Sequence, residues 1–399
     1  MSLKTQPEPL NRSQSPEGQT RRAFLTWMGW LGLNAALAPA LLKTLEGLGI
    51  VDAGALAATL PRTPVPARYW RQLPGGQVQC LLCPRQEVLA PGQMGFCRVR
   101  QNLRGTLVTH AYGQPCVLNL DAVEMNPLNH FHPGMKVLGV AHAGCNLRCA
   151  YCQNWQFSQK SPLETKNIVP FDFRQMGEKM RARRIGGLSF SFTEADCAPE
   201  FSADFAQFVG ELGLKRTLCT AGYIEKQPFR ELLRHFEAVT ITYKGATDSF
   251  YRRVVQGTLA PVLDAMVTAK AEGKWLEVAT LIVPTLNDRR EDLATMARWL
   301  RQNLGADTPW HLERFEPSYK LAHLPPTSQA TLEAARQIGL DAGLKFVYIS
   351  NLAPHPGNHT YCPSCGRALV KRLGFKVLEN RLARGSCPAC RTRLPGVWA

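Results

Sequence analysis

From Lys136 onward, short apolar runs alternate with longer stretches whose apolar positions recur at helical spacing. The runs Lys136–Ala141, Gly187–Ser191, Lys215–Cys219, Ala238–Tyr243, Leu276–Val283 and Lys345–Ile349 read as buried strands. Between them, Phe173–Arg183, Phe201–Leu212, Lys226–His235, Leu259–Glu272, Arg289–Asn303 and Ser328–Ala342 read as helices. Strands alternating with helices predict an α/β domain with a parallel sheet. About six such units predict a partial (β/α)6, TIM-like barrel over residues 136–355. In such folds, chemistry sits on the loops that follow the strands. Residues 61–135 are rich in turn residues and read as an extension that carries cysteines, entered through the Pro61–Pro66 linker.

The first 60 residues have a different pattern. Residues 1–19 are polar and rich in Pro, Ser and Gln, a composition that favours disorder. Arg21-Arg22-Ala23-Phe24-Leu25 opens an apolar stretch to Leu42, with small-residue sites at Ala36-Leu37-Ala38 and Ala55-Leu56-Ala57. This order is that of a signal peptide, and the arginine pair resembles a twin-arginine signal. Residues 1–60 are therefore expected to direct export to the periplasm or envelope, with membrane contact through this segment alone. A plain apolar helix or an uncleaved anchor is the other reading, and a cytoplasmic location the alternative to export.

Composition (45% hydrophobic, 20% charged) excludes wholesale disorder. The formal net charge of +16 favours anionic partners. Residues 361–399 hold eight Lys/Arg against Glu379 alone. That tail reads as a solvated basic face before it reads as a nucleic-acid site.

The chain has 13 cysteines, mostly in groups. Gly144-Cys145-Asn146-Leu147-Arg148-Cys149-Ala150-Tyr151-Cys152-Gln153-Asn154-Trp155 falls directly after the first strand, where a βα loop belongs. Three thiolates at C-x3-C-x2-C spacing can hold three corners of a [4Fe-4S] cluster and leave one iron open. A zinc site with a distant fourth ligand competes, although this spacing is not a usual zinc pattern.

With Tyr151 in the aromatic position, the loop resembles the C-x3-C-x-aromatic-C motif of radical S-adenosylmethionine (SAM) enzymes. The resemblance implies SAM on the open iron and one-electron cleavage to a 5′-deoxyadenosyl radical, which abstracts hydrogen from substrate. It also implies a low-potential electron donor. Residues 68–398 resemble more narrowly the radical SAM protein of the AmmeMemoRadiSam system, a relative of pyruvate formate-lyase activating enzymes. The runs CQNW (152–155), LEVATLIVPTLND (276–288), TPWHLERFEPSYKLAHLPPT (308–327), FVYISN (346–351) and NHTYCPSCG (358–366) carry it.

By that resemblance Tyr151, Asn154, Glu194 and Lys244 are candidate SAM contacts. The family's Tyr-Asn-Glu-Pro reads Phe192-Thr193-Glu194-Ala195 here, and its Asp-Leu-Lys reads Thr242-Tyr243-Lys244. Glu194 suits the SAM ammonium; a solvated loop carboxylate is the plain alternative. Asn287 and Asp288 follow the fifth strand. His311, Arg314 and Tyr319 either face substrate or satisfy buried polar groups.

Cys362-x2-Cys365 and Cys387-x2-Cys390 have the double-knuckle spacing of a structural zinc ribbon, expected over residues 356–399. Four thiolates also accept iron. Cys80-x2-Cys83 and Cys97 lack a fourth local ligand. Cys116 is a candidate for it, and a vestigial group of buried thiols is the alternative. Cys197 and Cys219 stand alone and read as core residues. The function expected is a radical SAM enzyme acting on a protein or small molecule. The alternative is an exported iron-sulfur electron-transfer or metal-binding protein that does not cleave SAM.

Overall fold

A computed structural model describes residues 63–165 and 171–398, which belong to one compact unit, Pro61–Ala399. The twin-arginine-like stretch lies outside the described residues. Among those described, no helix is long and apolar enough to cross a membrane.

The centre is an eight-stranded sheet whose strands lie side by side in chain order. They are β1 (Pro115–Ala122), β2 (Lys136–His142), β3 (Gly187–Phe190), β4 (Lys215–Thr220), β5 (Ala238–Thr242), β6 (Trp275–Ile282), β7 (Trp310–Arg314) and β8 (Val347–Ser350). β1 pairs antiparallel with β2, and β2 through β8 run parallel. The crossovers carry α1 (Phe173–Ala182), α2 (Pro199–Glu211), α3 (Lys226–Leu233), α4 (Ala260–Ala271), α5 (Arg290–Asn303) and α6 (Gln329–Asp341). Six β/α units thus run from β2 to α6, followed by β8, which gives the open barrel expected. Strands covered on both faces explain the unbroken apolar runs: all four residues of β3 are buried. Asp172 and Ser328 start α1 and α6 by accepting the N–H groups of Gln175 (2.7 Å) and Thr331 (3.0 Å).

One parallel strand, β7, was not among the six expected. Its sequence, Trp-His-Leu-Glu-Arg, hides it, because three of its five residues are polar. The structure accommodates them by pairing His311 Nε2 with Glu277 Oε2 of β6 at 2.7 Å in full burial. His311 therefore satisfies a buried carboxylate.

The extension is more regular than its turn-rich sequence implies. It folds into two small antiparallel sheets of three strands each. A buried ion pair, Arg100 Nη2 to Glu200 Oε1 at 2.6 Å, fixes it to α2. The C-terminal tail forms a third small sheet. Arg372 Nη2 donates to Asn129 O (2.8 Å) and Val397 N–H to His130 O (2.7 Å), which docks the tail on the barrel.

Candidate active site

The loop after β2 is clamped from three sides. Gly144 has φ +92°, and a Cβ there would lie 2.5 Å from Val99 Cγ2 and 2.6 Å from Cys97 O, so only glycine fits. Cys145 N–H donates to Cys97 O (3.1 Å), while Arg148 and Ala150 N–H donate to Val255 O and Val254 O (both 2.9 Å). Arg85 and Arg148 sandwich Phe96, and Arg85 Nε donates to Asn146 O (2.9 Å). Lys320 N–H closes the far side on Ala150 O (3.1 Å), with Trp155 stacked on Tyr319.

Held this way, Cys145, Cys149 and Cys152 line one cavity of about 350 Å³ with Tyr151, Asn154, Glu194 and Lys244. It opens at the carboxyl ends of the strands, where barrel chemistry is expected. All seven residues picked from the sequence for cluster and SAM are therefore brought together. Burial pushes the Cys149 thiol up to about 11 and the Cys145 thiol well above its ordinary value. Burial works against the charge of Lys244, but Cys149, Tyr151 and Glu194 outweigh it and hold that ammonium above the usual lysine range.

Glu194 is not a solvated loop residue. It is buried, and its carboxylate accepts Ala221 N–H (3.0 Å) and the Thr220 hydroxyl (2.7 Å). The same hydroxyl lies 2.7 Å from Asp196 Oδ2. One hydroxyl proton cannot serve two carboxylates. Burial, then the charge of Glu194, push Asp196 up to about 8, so Asp196 keeps its proton and donates to Thr220, which donates to Glu194. Asn154 Nδ2 donates to Phe192 O (2.8 Å), tying the cysteine loop to the β3 loop.

Asn287 acts through Lys244: it accepts Val283 N–H (2.7 Å) and donates to Lys244 O (2.8 Å). Arg314 is spent on Glu316 and Thr327 O. Thr242, where the family has Asp, lines the cavity without a charge. Cys219 and Glu313 also line it, which the sequence did not reveal. Burial pushes the Cys219 thiol up to about 12 and raises Glu313.

A radical SAM superfamily profile matches residues 140–300, the stretch that holds the cysteine loop and the strands around it. An uncharacterized protein of Methanocaldococcus jannaschii, MJ0808, is 38% identical over 332 residues, covering 82% of this chain and 98% of that protein. The chain belongs to the radical SAM superfamily. Pyruvate formate-lyase-activating enzymes of Clostridium pasteurianum (27% over 172 residues) and Streptococcus mutans (24% over 197 residues) are similar too. They cover 42% and 46% of this chain, and 71% and 70% of those enzymes.

A radical SAM enzyme needs a site for an iron-sulfur cluster and for SAM, and the donor set fits both. A single tetrahedral zinc would hold its thiolates ~3.8 Å apart, from metal–sulfur bonds of about 2.3 Å. Among the described residues, only the tail group Cys362, Cys365, Cys387 and Cys390 has all its ligand atoms within 4.8 Å of one another. The three loop thiols stand wider, which suits a polynuclear centre. The Tyr151 hydroxyl is buried on the cavity wall without a partner, an orphaned polar group that a bound ligand would satisfy.

Proposed function

We propose that Cys145, Cys149 and Cys152 hold a [4Fe-4S] cluster with one open iron, and that this chain uses it to cleave SAM for hydrogen abstraction from a protein substrate. The observation that carries this reading is the meeting of three loop thiols, the Glu194 carboxylate and the Lys244 ammonium in one cavity. Such a cluster supplies, when bound, the electron that breaks the SAM sulfonium into methionine and a 5′-deoxyadenosyl radical.

The chain's own residues do the rest. Glu194, oriented by Thr220 and Ala221, offers an acceptor to the SAM ammonium. Lys244, oriented through Asn287, offers a cation to its carboxylate. Tyr151 contributes a free hydroxyl, and Asn154 holds the two loops at a fixed spacing. The buried walls exclude water from a reactive centre. The relation to activating enzymes supports a protein substrate with a low-potential reductant as electron donor, and the runs at 152–155, 276–288, 308–327, 346–351 and 358–366 that resemble the AmmeMemoRadiSam radical SAM protein support membership of that subgroup.

Zinc in the tail belongs to the same reading. Cys362 and Cys390 Sγ lie 3.4 Å apart, and Cys365 and Cys387 Sγ 3.7 Å apart, the spacing that one tetrahedral ion imposes. The arginine-pair segment supports export by the twin-arginine route, which carries proteins with cofactors already inserted.

The deciding experiment is anaerobic. Reconstituted protein is reduced with dithionite, given SAM, and assayed for 5′-deoxyadenosine. Product that disappears in Cys149→Ser supports the reading. A cluster whose EPR signal ignores SAM, with no product, would overturn it in favour of electron transfer.

A further inference from the structure

A reductant has to reach the thiol site without filling the cavity that SAM needs, and the rim of the cysteine loop offers a surface for it. Arg148, Cys149, Ala150 and Cys152 are all half-buried, so the loop is a thin wall between its thiols and solvent. Electron transfer between proteins weakens steeply with distance, so a carrier gains most by docking at such a wall.

Each segment that clamps the loop brings a cation to its rim. Arg252 and Arg253 directly precede Val254 and Val255, whose carbonyls accept the amides of Ala150 and Arg148. Lys320 gives its own amide to Ala150 O. Arg98 follows Cys97, whose carbonyl accepts Cys145 N–H, and Lys160 lies three residues past Phe157, whose carbonyl accepts Gly144 N–H. Arg148 belongs to the loop itself. The other five side chains are exposed, and none of the six lines the cavity.

Most of this charge is uncompensated. Arg98 lies 3.6 Å from Glu164 and Arg252 2.5 Å from Asp248. Arg148 spends its donors on the carbonyls of Cys145, Leu147 and Phe96. Lys160, Arg253 and Lys320 have no ion pair among the described residues. Glu316, the acid closest to Lys320 in the chain, is held by Arg314. Six cations against two acids leave the rim strongly positive. An aromatic pair stands among them. Trp155, three residues past Cys152, is 38% exposed and stacks on Tyr319 at 5.3 Å, and Lys320 Nζ lies 5.5 Å from the Tyr319 ring. Exposed aromatic surface beside arginine and lysine is the make-up of a protein-binding site.

Resting on the radical SAM reading above, we propose that this rim is the docking surface for an acidic electron-carrier protein, with Trp155 and Tyr319 as its apolar part and Lys160, Arg253 and Lys320 as its free charges. The reduced carrier loses one electron and the thiol-held site gains it. Opposite charges speed the encounter and are screened by salt. A carrier held by the rim leaves the cavity open, so SAM can already be bound when the electron arrives.

The test uses the reconstituted chain with a flavodoxin, an acidic flavin carrier, as probe. Calorimetric titration with oxidised flavodoxin should show a complex that weakens as salt rises from about 0.05 to 0.5 M. Lys160→Glu combined with Arg253→Glu should weaken it roughly tenfold or more in dilute salt. Reduction of the cluster by flavodoxin hydroquinone, followed by EPR, should slow to the same extent, while dithionite reduces the variant as it does the wild type. Arg298→Glu, exposed on α5, should change neither reading. Equal reduction rates in the double variant and the wild type overturn the proposal. So does a complex indifferent to salt, or an equal loss in Arg298→Glu, which would reflect net charge and not this rim. Tighter binding of a random-sequence DNA duplex than of flavodoxin would make the rim a nucleic-acid site and overturn it as well. Absence of 5′-deoxyadenosine with dithionite would overturn the radical SAM reading alone, because carrier binding and cluster reduction are measured without SAM.

Discussion

The cysteine loop after β2 and the C-terminal tail both gather thiols, and they do so in opposite ways. In the tail, four sulfurs lie within 4.8 Å of one another, and Cys365 and Cys390 are exposed. In the loop, three thiols stand apart and face a cavity they share with a carboxylate and an ammonium. A closed tetrad leaves an ion nothing further to bind, which makes it a staple. A three-cornered set beside polar groups leaves a position for a second molecule. Identical ligand chemistry therefore suits a structural ion in one place and a reaction site in the other, with the number and spacing of sulfurs making the difference.

The largest expected effect tests the loop. Cys149→Ser removes one of three corners, so 5′-deoxyadenosine production should fall to background while circular dichroism and thermal unfolding remain close to wild type. Turnover at the wild-type rate would break the comparison at its first term. In the tail, Cys365→Ser should release its ion and open the segment around residues 356–398 to protease, because a short segment with little apolar content depends on its metal to fold. The visible absorbance of the cluster should persist. Its loss would mean that the two thiol groups are not independent.

A smaller effect separates binding from ligation. Lys244→Met keeps the stem of the side chain and removes the charge. A charge-assisted hydrogen bond contributes about 1.5–3 kcal/mol, so SAM affinity should drop roughly 10- to 100-fold with cluster iron unchanged. The perturbation of the cluster EPR signal by added SAM reads this directly. Unchanged affinity would remove Lys244 from the SAM site.

Both thiol groups were legible in the sequence because their spacing is local. Cys145, Cys149 and Cys152 lie within eight residues, and each tail pair within four. The cavity's other half was not legible. Cys219 and Glu313 reach it from the ends of β4 and β7, and no local pattern separates a cavity-facing residue from a core one. Cys197 shares one small buried cluster with Cys97, a hundred residues away along the chain. β7 escaped because periodicity treats His311 and Glu313 as surface residues, whereas the fold buries His311 against Glu277. Glu194 was found through the family pattern. Its burial depends on Thr220 and Ala221, which the sequence places 26 and 27 residues away.

The effect spread most thinly over conditions lies at the seam where the tail meets the barrel, and it sharpens the comparison by showing whether the staple also stabilises the barrel. His130 is fully buried there, with Nδ1 2.7 Å from Pro395 O and Nε2 2.6 Å from the Tyr348 hydroxyl. Nδ1 must carry the proton, since a carbonyl only accepts, and Nε2 then accepts from Tyr348. Burial lowers this imidazole to about 4, a shift that the nearby Glu277 only partly offsets. In the unfolded chain it titrates near 6.5. The folded state therefore resists a proton that the unfolded state takes up across that window. The contribution is fully present above about 6.5 and is lost as pH falls through about 4, with a slope of at most about 1.4 kcal/mol per pH unit. His130→Gln should be less stable at pH 7 yet lose less between pH 6.5 and 4. Differential scanning calorimetry of both proteins reads the two slopes. Parallel curves would mean that His130 takes up a proton in the fold as readily as in the unfolded chain, with the Tyr348 hydroxyl then donating to Thr360 Oγ1, 2.8 Å away.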